Sequence, residues 1–114
     1  NEEEGVSLID EFGQNSIFVS TPSVTELWLG VLLSRWPKQE EKRVEKFLSC
    51  CQILSFDIKS AKYAAEIEFK LKAQGQPIGI FDTQIAAVAL ANGETIVTRD
   101  AHFARIEGLR VLKY

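Results

Sequence analysis

Residues 77–114 read PIGIFDTQIAAVALANGETIVTRDAHFARIEGLRVLKY. Asp82 is followed by IAAVALA, an apolar run long enough for a buried helix, and Asn92-Gly93 supplies the stop that helices commonly use. Thr95–Thr98 (TIVT) then reads as a strand of β-branched residues, and Leu109–Leu112 (LRVL) as a second. A helix framed by short apolar strands is the unit of a parallel sheet, because parallel strands need a crossover connection.

The same alternation continues towards the N-terminus. Ile17–Ser20 (IFVS) reads as a buried strand, and Pro22 suits the first turn of a helix through Leu27, Trp28, Leu29, Val31, Leu32 and Leu33. That helix is apolar on most sides and is expected to be largely buried. A charged helix follows from about Lys38 to Leu48, then a strand at Gln52–Ser55. Asp57 or Ser60 caps the next helix, in which Ala61, Ala64, Ile67 and Leu71 recur at helical spacing and which Gly75 and Pro77 close. Before all of these, Asn1–Gln14 carries Glu2–Glu4 at its start and an apolar stripe of Val6, Leu8, Ile9 and Phe12, the pattern of another helix. The fold class expected is α/β: a three-layer α/β/α sandwich with a central, mostly parallel sheet.

In an open parallel sheet, sites form beyond the carboxyl ends of the strands. Three carboxylates from distant parts of the chain fall at that edge. Glu26 lies in the first turns of the helix after IFVS, among apolar neighbours where a carboxylate is costly. Asp82 lies at the start of the IAAVALA helix, and Asp100 follows strand TIVT by two residues. Carboxylates brought together repel one another, and a hard divalent cation removes the conflict. Such a cation polarises a phosphoryl oxygen and generates hydroxide near neutral pH, so the chemistry implied is phosphodiester hydrolysis. The plainer readings are that Asp82 caps its helix and Asp100 belongs to a turn.

At these residues the chain resembles the PIN-domain nucleases of the VapC toxin type. TPSVTELWLGV (Thr21–Val31) is similar to the segment in which that family carries a metal-binding glutamate. The C-terminal half matches in order and spacing: Pro77-Ile78-Gly79, Asp82, Ile85-Ala86-Ala87, Thr98, Asp100, Phe103 and Gly108-Leu109. The resemblance spans essentially the whole chain, as one PIN domain over residues 1–114. It implies a Mg2+- or Mn2+-dependent endoribonuclease, with Glu26, Asp82 and Asp100 as metal-binding residues and Thr98 as a nearby hydroxyl that positions a water or an acid. It also implies an RNA substrate, a small antitoxin partner and a homodimer. The family's first acidic residue, in an Asp-Thr-Asn-like motif that ends a central first strand, has no match here, and the sequence holds no methionine. The chain is therefore expected to be N-terminally incomplete, with that strand and a fourth carboxylate absent from it.

The remaining residues carry weaker signals. For His102, the one histidine, a base or metal role stands against a surface loop residue, and the second is preferred since no second nitrogen ligand exists. Arg99, Arg105, Arg110 and Lys113 are candidates for phosphate contacts or ordinary solvated charges. Trp28 and Trp36 suit either an interface or the core. A formal net charge of −3 argues against a nucleic-acid coat protein but not against an enzyme that holds a metal with acidic residues. Cys50 and Cys51 adjoin and build neither a disulfide framework nor a zinc site, so the cytoplasm is the expected compartment; no apolar run reaches membrane-spanning length. Alternatives to the ribonuclease are a catalytically inactive PIN-fold module that binds an antitoxin or RNA, and a nuclease acting on DNA. A receiver-like or flavodoxin-like domain would need a phosphoacceptor aspartate at a strand end or a phosphate-cradling loop, and the sequence has neither.

Overall fold

The computed structural model describes residues 17–98 and 100–113, Lys113 by its backbone. The helix expected over Asn1–Gln14 and the side chains of Arg99 and Lys113 lie outside the described residues. The chain divides into two compact units, one ending at Leu54 and one beginning at Ser55.

In the N-terminal unit, β1 (Phe18–Ser20) leads directly into α1 (Thr21–Leu33). Ser20 caps α1 by accepting the Ser23 N–H at 3.3 Å, and Pro22 occupies the first turn, where its missing N–H costs nothing. Pro37 opens α2 (Pro37–Ser49), whose Val44 and Phe47 are buried while its charged face is solvated. β2 (Gln52–Leu54) pairs with β1 in parallel, Val19 opposite Ile53. Val19 and Phe47 form the buried cluster, with Val24, Leu27, Leu48 and both cysteines packed against it. Cys50 and Cys51 are reduced thiols, half-buried as small apolar residues, and burial together with the neighbouring Cys50 pushes the Cys51 thiol up to about 11.

α1 departs from its expected burial. Only Pro22 and Val31 are buried along it, and Leu32 and Leu33 are each 77% exposed. Apolar composition all round a helix says that every side would gain from cover, not that this chain supplies it. Trp28 is half-buried on the same helix, and Trp36, just beyond it, is exposed.

In the C-terminal unit, Asp57 caps α3 (Ile58–Ala73) by accepting from both the N–H and the hydroxyl of Ser60, at 2.9 and 2.8 Å. These hydrogen bonds, the backbone one foremost, hold the Asp57 carboxyl below its ordinary value. α4 (Ile80–Asn92) follows and packs extensively on α3, burying Thr83, Ala86, Ala87, Val88 and Ala89. Its small alanines let the two helices come close. Gly93 ends α4 at φ +65°, a left-handed conformation that a Cβ would strain. β3 (Ile96–Thr98) and β4 (Val111–Lys113) pair in parallel, Thr98 opposite Lys113, with a 3-10 turn (Ala101–Arg105) between them. β4 begins two residues later than the sequence suggests. The core joins Ile67 and Leu71 of α3, the alanines of α4, and Ile96, Phe103 and Ile106. Among the described residues, every strand pairing is parallel and no helix is long and apolar enough to cross a membrane.

Candidate active site

α4 starts at Ile80 with Gly79 as its cap residue, and Asp82 is the third residue of the first turn. The capping role open to Asp82 in the sequence is therefore not the one it takes. Its carboxylate turns instead to the 3-10 turn, where Oδ2 lies 2.9 Å from Nε2 of His102. An acidic side chain in a first helical turn also meets the positive end of the helix dipole.

Asp100 precedes that turn as its cap residue and is exposed. Its backbone N–H donates to Oγ1 of Thr98 at 3.1 Å. Thr98 is the last residue of β3, so its hydroxyl sets the direction in which the chain leaves the carboxyl end of the sheet. The Asp82–His102 hydrogen bond ties the first turn of α4 to this same segment. Asp82, Thr98 and Asp100 thus belong to one connected edge of the C-terminal unit. Thr83, next to Asp82, is fully buried and donates to the Gly79 carbonyl at 3.1 Å and towards Glu68 Oε1 at 3.3 Å, which anchors the turn that presents Asp82.

Glu26 lies in the other unit, on α1, and it is exposed. The cost of burying a carboxylate therefore does not single it out. Its candidacy rests on the motif around it.

His102 corrects the sequence reading. It is a partly exposed residue that is not free: its ring centroid is 4.8 Å from that of Phe103, and it bonds to Asp82. The partners are twenty residues apart, and no local pattern announces them. Arg110, open between a phosphate contact and a solvated charge, is exposed and has a backbone partner. It lies just before β4 and donates to the carbonyl of Gly93, at the C-terminal end of α4. The thirteen residues of α4 place that contact roughly 20 Å from its first turn. Arg110 thus satisfies a helix end, away from the Asp82 edge. Arg105 is exposed and lines a groove with Glu66, Lys70 and Glu107, a lining of mixed charge.

The donors at the edge are hard carboxylate oxygens, the kind that magnesium and manganese take. Magnesium keeps several waters and needs only one or two protein carboxylates, so Asp82 and Asp100 fit such an ion in kind and number. Among the described residues, no three His, Cys, Asp or Glu side chains are gathered into a ready-made metal cluster.

Comparison with known proteins agrees with the fold. The PIN domain family model matches residues 1–109. The chain is 34% identical over 98 residues to the tRNA(fMet)-specific endonuclease VapC of Shigella flexneri, covering 85% of this chain and 74% of that one. It is 33% identical over 108 residues to Ribonuclease VapC2 of Haemophilus influenzae, covering 92% and 82%. It superposes on a chain of the VapBC2 complex of Rickettsia felis, solved bound to a DNA fragment from its promoter, with a TM-score of 0.84 and 30% identity over 97% of this chain and 83% of that one. With a family match along nearly its whole length and relatives of VapC type, this chain belongs to the PIN domain family.

Proposed function

We propose that this chain is a metal-dependent endoribonuclease and the toxin of a toxin–antitoxin pair. The observation that carries the reading is the tie between Asp82 on α4 and the segment that opens with Asp100, at the carboxyl end of β3. The names of its relatives, ribonuclease and endonuclease VapC, supply the substrate class, and the VapBC complex supplies the antitoxin. A homodimer and a cytoplasmic location complete the reading.

Asp82 and Asp100 would hold a Mg2+ or Mn2+ ion, and the sequence motif alone makes Glu26 a further candidate ligand. Bound there, such an ion would act as a Lewis acid on a phosphate oxygen and lower the pKa of a water, so that its hydroxide form could attack phosphorus near neutral pH. The chain's own part is orientation. Thr98 accepts the backbone N–H of Asp100, so the backbone that carries this carboxylate is held where it leaves the strand. The first turn of α4 presents Asp82 beside a positive helix end, and buried Thr83 keeps that turn in place.

The test is cleavage of RNA by the purified full-length protein. Cleavage in Mg2+ or Mn2+, lost with EDTA and restored by excess metal, is expected. RNA that survives in metal, or cleavage indifferent to EDTA, contradicts the reading; an inactive protein that still captures an antitoxin is the binding module instead.

A further inference from the structure

Resting on that reading of Asp82 as a metal-binding residue, we propose that His102 is a positioning residue of the site, whose Nε2–H fixes the Asp82 carboxylate for the cation. The distance between Nε2 and Oδ2 is 2.9 Å, that of a full hydrogen bond. An ionised carboxylate only accepts, so Nε2 carries the hydrogen, and it does so whether or not the other ring nitrogen is protonated.

The imidazole is itself held. Its ring lies against that of Phe103, and Phe103 is 4% exposed within the core of the C-terminal unit. The 3-10 turn places these consecutive residues so that one enters the core and the other reaches α4. A line of contact therefore runs from the core through Phe103 and His102 to one oxygen of Asp82. The carboxylate is taken out of free rotation through this one oxygen. A partner that fixes a metal-binding carboxylate in this way typically changes metal affinity by about ten- to a hundredfold when it is lost. Both His102 and Asp82 are partly exposed, 28% and 29% by side chain, so their contact lies at the surface where a cation and an RNA phosphate have access.

Mn2+ binding to the full-length protein, followed by electron paramagnetic resonance without substrate, tests this in four proteins: wild type, Asp82→Asn, His102→Ala and His102→Gln. The glutamine amide nitrogen occupies much the same place as Nε2 and can donate the same bond. Thermal melts show that each variant is folded. Wild type is expected to bind, Asp82→Asn to lose binding, and His102→Ala to bind about ten- to a hundredfold more weakly. His102→Gln is expected to recover most of the loss, which a merely structural role for the ring would not permit. If His102→Ala binds as tightly as wild type, or more tightly, the positioning role is overturned while the metal reading stands. If glutamine fails to restore binding, the hydrogen bond is not the cause. If wild type and Asp82→Asn bind alike, the reading of Asp82 fails and this inference falls with it.

Discussion

The two units of the molecule bury their apolar residues differently. In the C-terminal unit, eight residues form one buried cluster, and the helices, the 3-10 turn and β3 all contribute to it. Among the described residues of the N-terminal unit, the buried cluster is Val19 with Phe47, and Leu29, Leu32 and Leu33 of α1 are exposed. The polar chemistry follows the packing. Asp82, Thr98, Asp100 and His102 all stand on the unit with the larger buried cluster among the described residues, where Phe103 and Thr83 lock the segments that carry them. Glu26 stands on the helix with the uncovered face. A site needs its supporting residues held more firmly than a docking face does, because small displacements cost much of the chemistry. An uncovered apolar helix face on a protein of this size suits contact with another chain.

That contrast can be broken by truncation. Phe103→Ala is expected to destabilise the protein by about 3–5 kcal/mol, since it empties the centre of the larger cluster. Phe47→Ala, in the smaller cluster, is expected at the lower end of that range, about 3 kcal/mol. Chemical denaturation of both variants measures the difference; equal losses, or a larger loss at Phe47, would break the contrast between the two cores.

The corrections met above share one physical origin. Elements were legible in the sequence because each is a local pattern: Pro22 and Pro37 near helix starts, Asp57 as a cap, Asn92-Gly93 as a stop. The carboxylates at Asp82 and Asp100 were legible for the same reason, as positions on those elements. Long-range relations were not. Nothing in the spacing of His102 and Asp82 points to their hydrogen bond. Arg110 looked like part of a basic cluster near the site. With β4 starting at Val111 and running parallel to β3, it falls at the opposite end of the strands, beside Gly93. The exposure of α1 is not legible in the sequence, because apolar composition reports a preference for cover, and the cover must come from elsewhere in space.

The position of Arg110 sharpens the same picture at smaller scale. Arg110→Ala is expected to cost about 1 kcal/mol of stability, through the lost bond to the Gly93 carbonyl, and to leave the cleavage rate unchanged. Denaturation and a cleavage assay on one preparation check both halves; a fall in rate without loss of stability would return Arg110 to the substrate.

The smallest effect is expected on α1. Leu33→Lys changes a side chain that is 77% exposed, so its stability should stay within about 0.5 kcal/mol of wild type. A loss of about 2 kcal/mol or more would mean that this face is covered in solution. Size-exclusion chromatography of the same variant would show whether a second chain supplies that cover.

The central claim is that the carboxylates at the carboxyl edge of β3 carry out metal-dependent cleavage of RNA. The most direct measurement is the cleavage rate of full-length Asp82→Asn in Mg2+ beside wild type, with circular dichroism of both. Amide for carboxylate keeps the shape and removes the charge. The account predicts wild-type spectra and a rate reduced on the order of a hundredfold or more, the loss expected when a metal that stabilises transition-state charge by several kcal/mol is no longer held. A folded Asp82→Asn protein that cleaves RNA at the wild-type rate would contradict it.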